Sequence, residues 1–242
     1  LDYKWRVSDN IAGGKLDLQF NNLGIYRTGG EDYHRSFIGA NWQRRDINRL
    51  GIETIVSGYG RGDLYRVWHS EQAEIADYAG ANGWRPRAIA ALVLDASWPF
   101  AGSVKLFNQQ GKSGGSKTAW QVISPRLQLV TAASKNSLIP NEDARSIELE
   151  DSNIFALNRF AGYDRFESGT RISYGLEYSL SYQNWRLRSS AAQSYRFSTK
   201  PAILPPGTGL DQRRSDIVGR TELNFSDYLT LTHRFRLDKA SL

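Results

Sequence analysis

The sequence predicts an all-β protein: an antiparallel transmembrane β-barrel segment, about ten strands of a larger outer-membrane barrel, with residues 1–242 in one barrel domain. Three observations carry this. Residues 171–182 alternate strictly between apolar and polar positions over 12 residues, which is a strand with one apolar and one polar face. Such a run exceeds the ~5–6 residues usual in soluble sheets, while 9–11 tilted residues cross a bilayer core. The connections alternate between short and long and polar, as in barrels with periplasmic turns below and extracellular loops above. Aromatic residues gather at strand ends (Tyr182, Trp185, Tyr195, Phe197, Phe225, Tyr228), where headgroup girdles belong. A soluble β-sandwich also alternates, but its strands are shorter and lack this two-sided loop pattern.

Each element follows from its residues. In the strand at 171–182, Ile172, Tyr174, Leu176, Tyr178, Leu180 and Tyr182 take the even positions, and Arg171, Ser173, Gly175, Glu177, Ser179 and Ser181 the odd ones. Gln183-Asn184 forms a two-residue turn into a second run at 185–197. That register sets Tyr182 against Trp185, Leu180 against Leu187 and Leu176 against Ala191. A strand at 217–225 and one at 229–237 match only if three residues, Ser226-Asp227-Tyr228, join them and Phe225 faces Leu229. Weaker strands read at about 1–8, 14–27, 35–47, 50–67, 88–98 and 118–131. Short turns fall near residues 10–13, 48–49, 183–184 and 226–228, and long connections at about 28–34, 69–87, 132–170 and 198–215. The connection at 100–117 departs from the pattern, because it is long on the short side.

Composition removes several classes. The chain has 242 residues, Lys+Arg 31 against Asp+Glu 25, a net charge of +6, 40% apolar residues and no cysteine. Without cysteine there is no disulfide framework, thiolate zinc site or cysteine nucleophile. The longest clear apolar run, Ala88 to Leu94, is far below the 18 or more residues a transmembrane helix needs. Barrel strands keep mean hydropathy low and are untouched by that test. A chain that begins Leu1-Asp2-Tyr3 and holds no methionine reads as an internal fragment, with no signal peptide in it.

The segment Ile139-Pro140-Asn141-Glu142-Asp143, continuing through Glu148-Leu149-Glu150-Asp151-Ser152-Asn153-Ile154-Phe155 to Asn158-Arg159-Phe160-Ala161-Gly162-Tyr163-Asp164-Arg165-Phe166-Glu167-Ser168-Gly169, is distinctive. With Arg171, Tyr174-Gly175 and Gln193-Ser194-Tyr195-Arg196, it resembles the C-terminal barrel region of the LPS-assembly outer-membrane protein family LptD (OstA, Imp), α-proteobacterial in style. Arg61-Gly62-Asp63-Leu64-Tyr65, Trp98-Pro99-Phe100 and Ser124-Pro125-Arg126 fit in the same order but are weak alone. The resemblance implies a barrel of about 26 strands in the bacterial outer membrane, plugged by an LptE-like lipoprotein. It further implies that lipopolysaccharide (LPS) arrives over an LptA-like periplasmic bridge to a jellyroll domain missing here, and leaves through a lateral gate into the surrounding outer-membrane lipids. The expected function is non-enzymatic LPS translocation and insertion, with no cofactor. The alternative is a porin or other channel for passive diffusion.

If the apolar faces meet lipid, Arg186, Arg188, Arg196, Arg220, Arg234 and Arg236 all point into the lumen. Arg220 then faces Arg234, a like-charge pair that needs a counter-charge; Glu222 is one diagonal candidate. One reading is that these planar guanidinium groups contact LPS phosphates and core sugars or acids of the plug. The other is that they are cross-paired, as charged barrel interiors usually are. The loop at 132–170 is too long to be filler. Its candidate ion-pair network is Asn141, Glu142, Asp143, Arg159, Asp164, Arg165 and Glu167, stapling the loop over the lumen. Binding of Ca²⁺ or Mg²⁺ is a second reading, although no spacing resembles an EF-hand. Ile147, Leu149, Ile154, Phe155 and Phe160 give the loop apolar groups to bury. Enzymatic signals are thin: the histidines are His34, His69 and His233, His233 falls on the lipid face, and no nucleophile elbow appears. No nucleic acid partner is expected, because the arginines face inward. Gly24, Gly58, Gly60 and Gly62 make no phosphate fingerprint, since no helix follows.

Overall fold

A computed structural model describes residues 1–107, 117–135, 138–198 and 204–239. Eleven strands form one sheet: β1 (Asp2–Arg6), β2 (Lys15–Ile25), β3 (Asp32–Ile47), β4 (Glu53–Trp68), β5 (Gly83–Ser97), β6 (Phe100–Phe107), β7 (Lys117–Ser134), β8 (Gly169–Tyr182), β9 (Trp185–Arg196), β10 (Ile217–Phe225) and β11 (Leu229–Leu237). The order is β1-β2-β3-β4-β5-β7-β8-β9-β10-β11, with β6 beside β7. Every pairing is antiparallel. β1 and β11 stand at opposite ends, so the sheet is open. Among the described residues, no helix is long and apolar enough to cross a membrane.

The expected hairpin registers hold. Tyr182 faces Trp185, Leu180 faces Leu187 and Leu176 faces Ala191. Phe225 faces Leu229 across the three-residue loop, and Arg220 faces Arg234. Parity of apolar residues together with turn length is enough to set these pairings, because a slip by one residue would move every side chain to the other face.

Chain order and sheet order part company at one place. β5 and β6 both lie on the same side of β7: β5 pairs with residues 126–134 and β6 with residues 117–123. They are one long strand broken at Trp98-Pro99. Proline has no N–H for the ladder, and a second proline, Pro125, sits opposite the break, its carbonyl accepting from Trp98 N at 3.0 Å. Much of the over-long connection at 100–117 is therefore strand, and its residues 108–116 lie outside the described residues. β5 also starts earlier than expected, at Gly83. Its first residues, Pro86 included, pair with β4 alone, and proline is tolerated in such an edge segment.

The two faces differ in chemistry. Ile38, Leu64, Leu92, Leu94, Leu127, Leu129, Tyr174, Leu176 and Leu231 stand exposed on one face. The other face carries Tyr33, Arg35, Phe37, Arg61, Asp63, Tyr65, Arg87, Arg171 and Arg196, all buried. Residues 138–168 lie across this face and bury most of them, while the segment around residues 210–213 covers Arg196. Ile139 joins Tyr33, Tyr65 and Val67, and Phe166 joins Ile89 and Ala91. Ala144, Ile147, Leu149, Ile154 and Phe160 pack with Ala192, Val218, Leu204 and Leu210. The apolar residues of the long loop thus have partners on the sheet and on the 204–210 segment, which suits burial of apolar area.

Candidate functional site

The loop is held to the sheet by charge as well as by apolar contact. Alternation places Tyr33 and Arg35 of β3, Arg61, Asp63 and Tyr65 of β4, and Arg87 of β5 on one face. The Asp143–Asp164 stretch of the loop docks onto them. Arg35 Nη1 donates to Asp164 Oδ1 at 2.5 Å and Asp143 Oδ2 at 2.7 Å. Asp164 has a fully buried carboxylate. It also accepts from Tyr33 and Tyr65 hydroxyls (3.3 and 3.0 Å) and from the N–H groups of Glu142 and Asp143 (2.9 and 3.3 Å). Next to it, Asp63 sits between Arg61 and Arg87 at 2.8 and 2.7 Å. Both arginines reach on to the loop: Arg61 donates to the Tyr163 carbonyl, and Arg87 to the carbonyls of Tyr163 and Asp164. The guanidinium of Arg61 also lies 4.6 Å from the Phe37 ring centre. Gly162 is required here, since a Cβ would sit 2.2 Å from Asp143 Oδ1.

A second cluster lies toward β8 and β9. Glu167 accepts from Arg159 in a two-pronged contact, through Nε at 2.6 Å and through Nη2, and lies 3.5 Å from Arg171 Nη1. Arg171 also donates to the carbonyls of Ala156 and Leu157.

The seven loop residues expected to form one network therefore separate. Asp143 and Asp164 belong to the first cluster, and Arg159 and Glu167 to the second. Glu142 pairs outward with Arg27 at 3.0 Å and Arg145 at 2.7 Å. Asn141 closes a turn with Ala144 in both directions. Arg165 donates to the Ile139 and Pro140 carbonyls.

The six arginines expected inside share the loop-covered face, and they divide by environment. Arg196 is buried and donates to the carbonyls of Leu210 and Gln212. Arg220 contacts Glu222, Arg234 lies 3.6 Å from Asp151, and Arg236 lies 2.7 Å from Glu148. The like-charge pair Arg220–Arg234 is thus relieved by an acid on each side. Arg186 and Arg188 are exposed. Arg188 and Arg220 line a polar cleft of about 510 Å³ with Ser124, Glu177, Ser190 and Glu222, roofed by Asp151 and Ser152. Its mix of guanidinium, hydroxyl and carboxylate groups suits a polyhydroxylated, charged ligand. Among the described residues, no cluster of His, Asp or Glu could hold a metal ion. His233 stacks beside Phe235 at 6.0 Å on the exposed apolar face.

A family model described as LPS transport system D, LptD, matches residues 1–242. The chain belongs to the LptD family. It is 33% identical over 98 residues to the LPS-assembly protein LptD of Acinetobacter baumannii, covering 39% of this chain and 12% of that relative. It is 34% identical over 87 residues to the LPS-assembly protein LptD of Acinetobacter baylyi, covering 35% of this chain and 11% of that relative. The matched stretches are thus a small part of the length of these LptD relatives. In this LptD-family chain the strand residues that sequence reasoning left out of the site include Arg35, Arg61, Asp63, Arg87 and Arg171. Their signal was available: charged residues at period 2 in long strands, those of β3 and β4 on the same parity as Tyr33 and Tyr65.

The buried carboxyls of the loop respond to acid in opposite senses. Burial pushes Asp143 up, but the Arg35 hydrogen bond and the N–H groups of Asp164 and Tyr163 outweigh it and hold the carboxyl below its usual range. Burial likewise pushes Glu167 up, and Arg171 and Arg159 outweigh that. Asp164 is raised, first by burial and then by the charge of Asp143. Lowered groups contribute stability above the unfolded carboxyl value of about 4 and lose it as pH falls through the folded values. Asp164 contributes the reverse, losing stability as pH rises through its raised value. With two lowered groups against one raised, hydrogen exchange in peptides of residues 138–168 is expected to speed up, after correction for intrinsic rates, as pH drops below about 4. Protection that keeps growing from pH 5 to pH 3 would instead assign control to Asp164.

Proposed function

We propose that this chain forms part of an outer-membrane barrel that moves LPS across the membrane and inserts it into the outer leaflet, without enzymatic chemistry. The observation that carries this is the LptD-family match across the full chain. The two-faced sheet supports it. An exposed apolar face suits lipid, and the opposite face offers guanidinium groups and a polar cleft beneath a folded-in loop. In this reading the loop-covered face is the lumen wall, residues 138–168 lie at the extracellular end, and the partners are an LptE-like lipoprotein plug and an LptA-like periplasmic bridge. The ion-paired loop residues hold the cover in place, while Arg188, Arg220 and Arg234 meet anionic groups of LPS or of the plug.

Depletion of the protein is expected to lower LPS at the cell surface; a freely conducting, plug-independent pore in planar bilayers would point to a porin instead. Within the full protein, Arg220→Ser with Arg234→Ser is expected to cut photocrosslinking of LPS from a probe at Arg188 by roughly tenfold, the scale of one or two charge-assisted hydrogen bonds. Unchanged LPS crosslinking and unchanged plug binding would confine both arginines to pairing with Glu222 and Asp151.

A further inference from the structure

We propose that Arg159, Arg171 and Arg196 form a buried binding site for a compact anion of the halide class, beneath residues 138–168. The reasoning is independent of the transport reading. Arg171 on β8 and Arg196 on β9 are directly opposed in register, so their side chains leave the same face as close neighbours. Arg159 of the loop lies over them, joined to Arg171 through their shared carboxylate, Glu167. All three arginines are at most 6% exposed.

The cluster is short of negative charge. Among the described residues the one carboxylate in ion-pair contact with this cluster is Glu167, and Asp211 acts on Arg196 from farther away, which leaves a surplus of positive charge. Asp211, whose neighbours Leu210 and Gln212 supply carbonyls to Arg196, is paired with Lys239 at 3.2 Å. Ser173 and Ser194, the next opposed pair on this face, are uncharged and donate to the Ile154 and Ile172 carbonyls. Arginine does not shed its proton to relieve such a surplus, and a buried net charge is strongly unfavourable unless it is paired.

The donors are also unspent. Arg159 Nη1, Arg171 Nε, and both Nε and Nη1 of Arg196 are buried with no hydrogen-bond partner. Buried donors of charged groups are the ones least tolerated without an acceptor. One anion shared among the three groups answers both deficits, and the close cover of the site limits it to a compact one. The bound ion would tie the loop (Arg159) to two strands of the sheet (Arg171, Arg196).

The test uses the full-length protein in detergent. Crystals soaked in sodium bromide and measured at the bromine edge are expected to show an anomalous peak in contact with the three guanidinium groups. Replacing chloride by gluconate at constant ionic strength is expected to lower the unfolding midpoint by on the order of 2–4 °C. Arg196→Gln is expected to remove both the peak and the chloride dependence. Bromide at surface sites but not at this one, a water in its place, or a midpoint indifferent to chloride would overturn the proposal. A tetrahedral anion from a phosphate soak would overturn its halide class, and a peak surviving Arg196→Gln would overturn its donors.

Discussion

Replacing Asp164 with alanine is expected to weaken the docking of residues 138–168 by about 3–5 kcal/mol, the scale for removing one partner of a buried charge pair. The carboxylate is fully buried and takes hydrogen bonds from Arg35, two tyrosine hydroxyls and two backbone N–H groups. Alanine takes this acceptor from two hydroxyls and two backbone N–H groups in a place water does not reach, and leaves Arg35 with Asp143 alone. The readout is trypsin cleavage after Arg145, which is exposed on the loop. If cleavage requires the loop to lift, its rate should rise roughly a hundredfold or more. Asp143→Ala is the comparison. Asp143 shares Arg35 with Asp164, but its side chain is 29% exposed, so water can replace it and the effect should be several times smaller. Equal cleavage rates in Asp164→Ala and the unaltered protein would show that apolar contacts alone hold the loop.

Much of this arrangement was legible in the sequence, and the limits have physical causes. Parity and turn length fixed β8–β9 and β10–β11 to the residue, because both constraints are local. The same parity put Arg186, Arg188, Arg196, Arg220, Arg234 and Arg236 on one face. The connection expected at 100–117 hides β6, because the break at Trp98-Pro99 becomes legible only with Pro125 lying opposite it. The loop partners were the harder case. Asp164 and Arg35 are 129 residues apart, and nothing in either neighbourhood names the other. Composition could say that the loop carries balanced charge and apolar groups to bury. It could not say that its acids would divide between two clusters, or that Glu142 would turn outward to Arg27.

Glu167→Gln is expected to cost as much as Asp164→Ala, and the reason lies in the imbalance of its cluster. Its carboxylate is 1% exposed and, among the described residues, is the one acid ion-paired with Arg159 and Arg171, beside Arg196. Glutamine keeps the volume and one acceptor oxygen but removes the charge, taking from the buried guanidinium groups their ion-paired carboxylate, about 3–5 kcal/mol. Arg159→Met should be milder. Glu167 then keeps Arg171, the surplus of positive charge falls, and an unbranched apolar chain fills much of the space. The ranking therefore identifies the scarce component: the carboxylate, not any single arginine. Chemical unfolding of the full protein in detergent, read by tryptophan fluorescence, gives the two values. Arg159→Met costing as much as Glu167→Gln would mean that the two-pronged pair itself, and not the charge balance, holds this end of the loop. Glu167→Gln should also flatten the loss of stability below about pH 4, because the lowered carboxyl that produces part of it is gone. Its stability should climb more steeply with chloride than that of the unaltered protein, since an anion shared by the three arginines then takes over the role of the lost carboxylate.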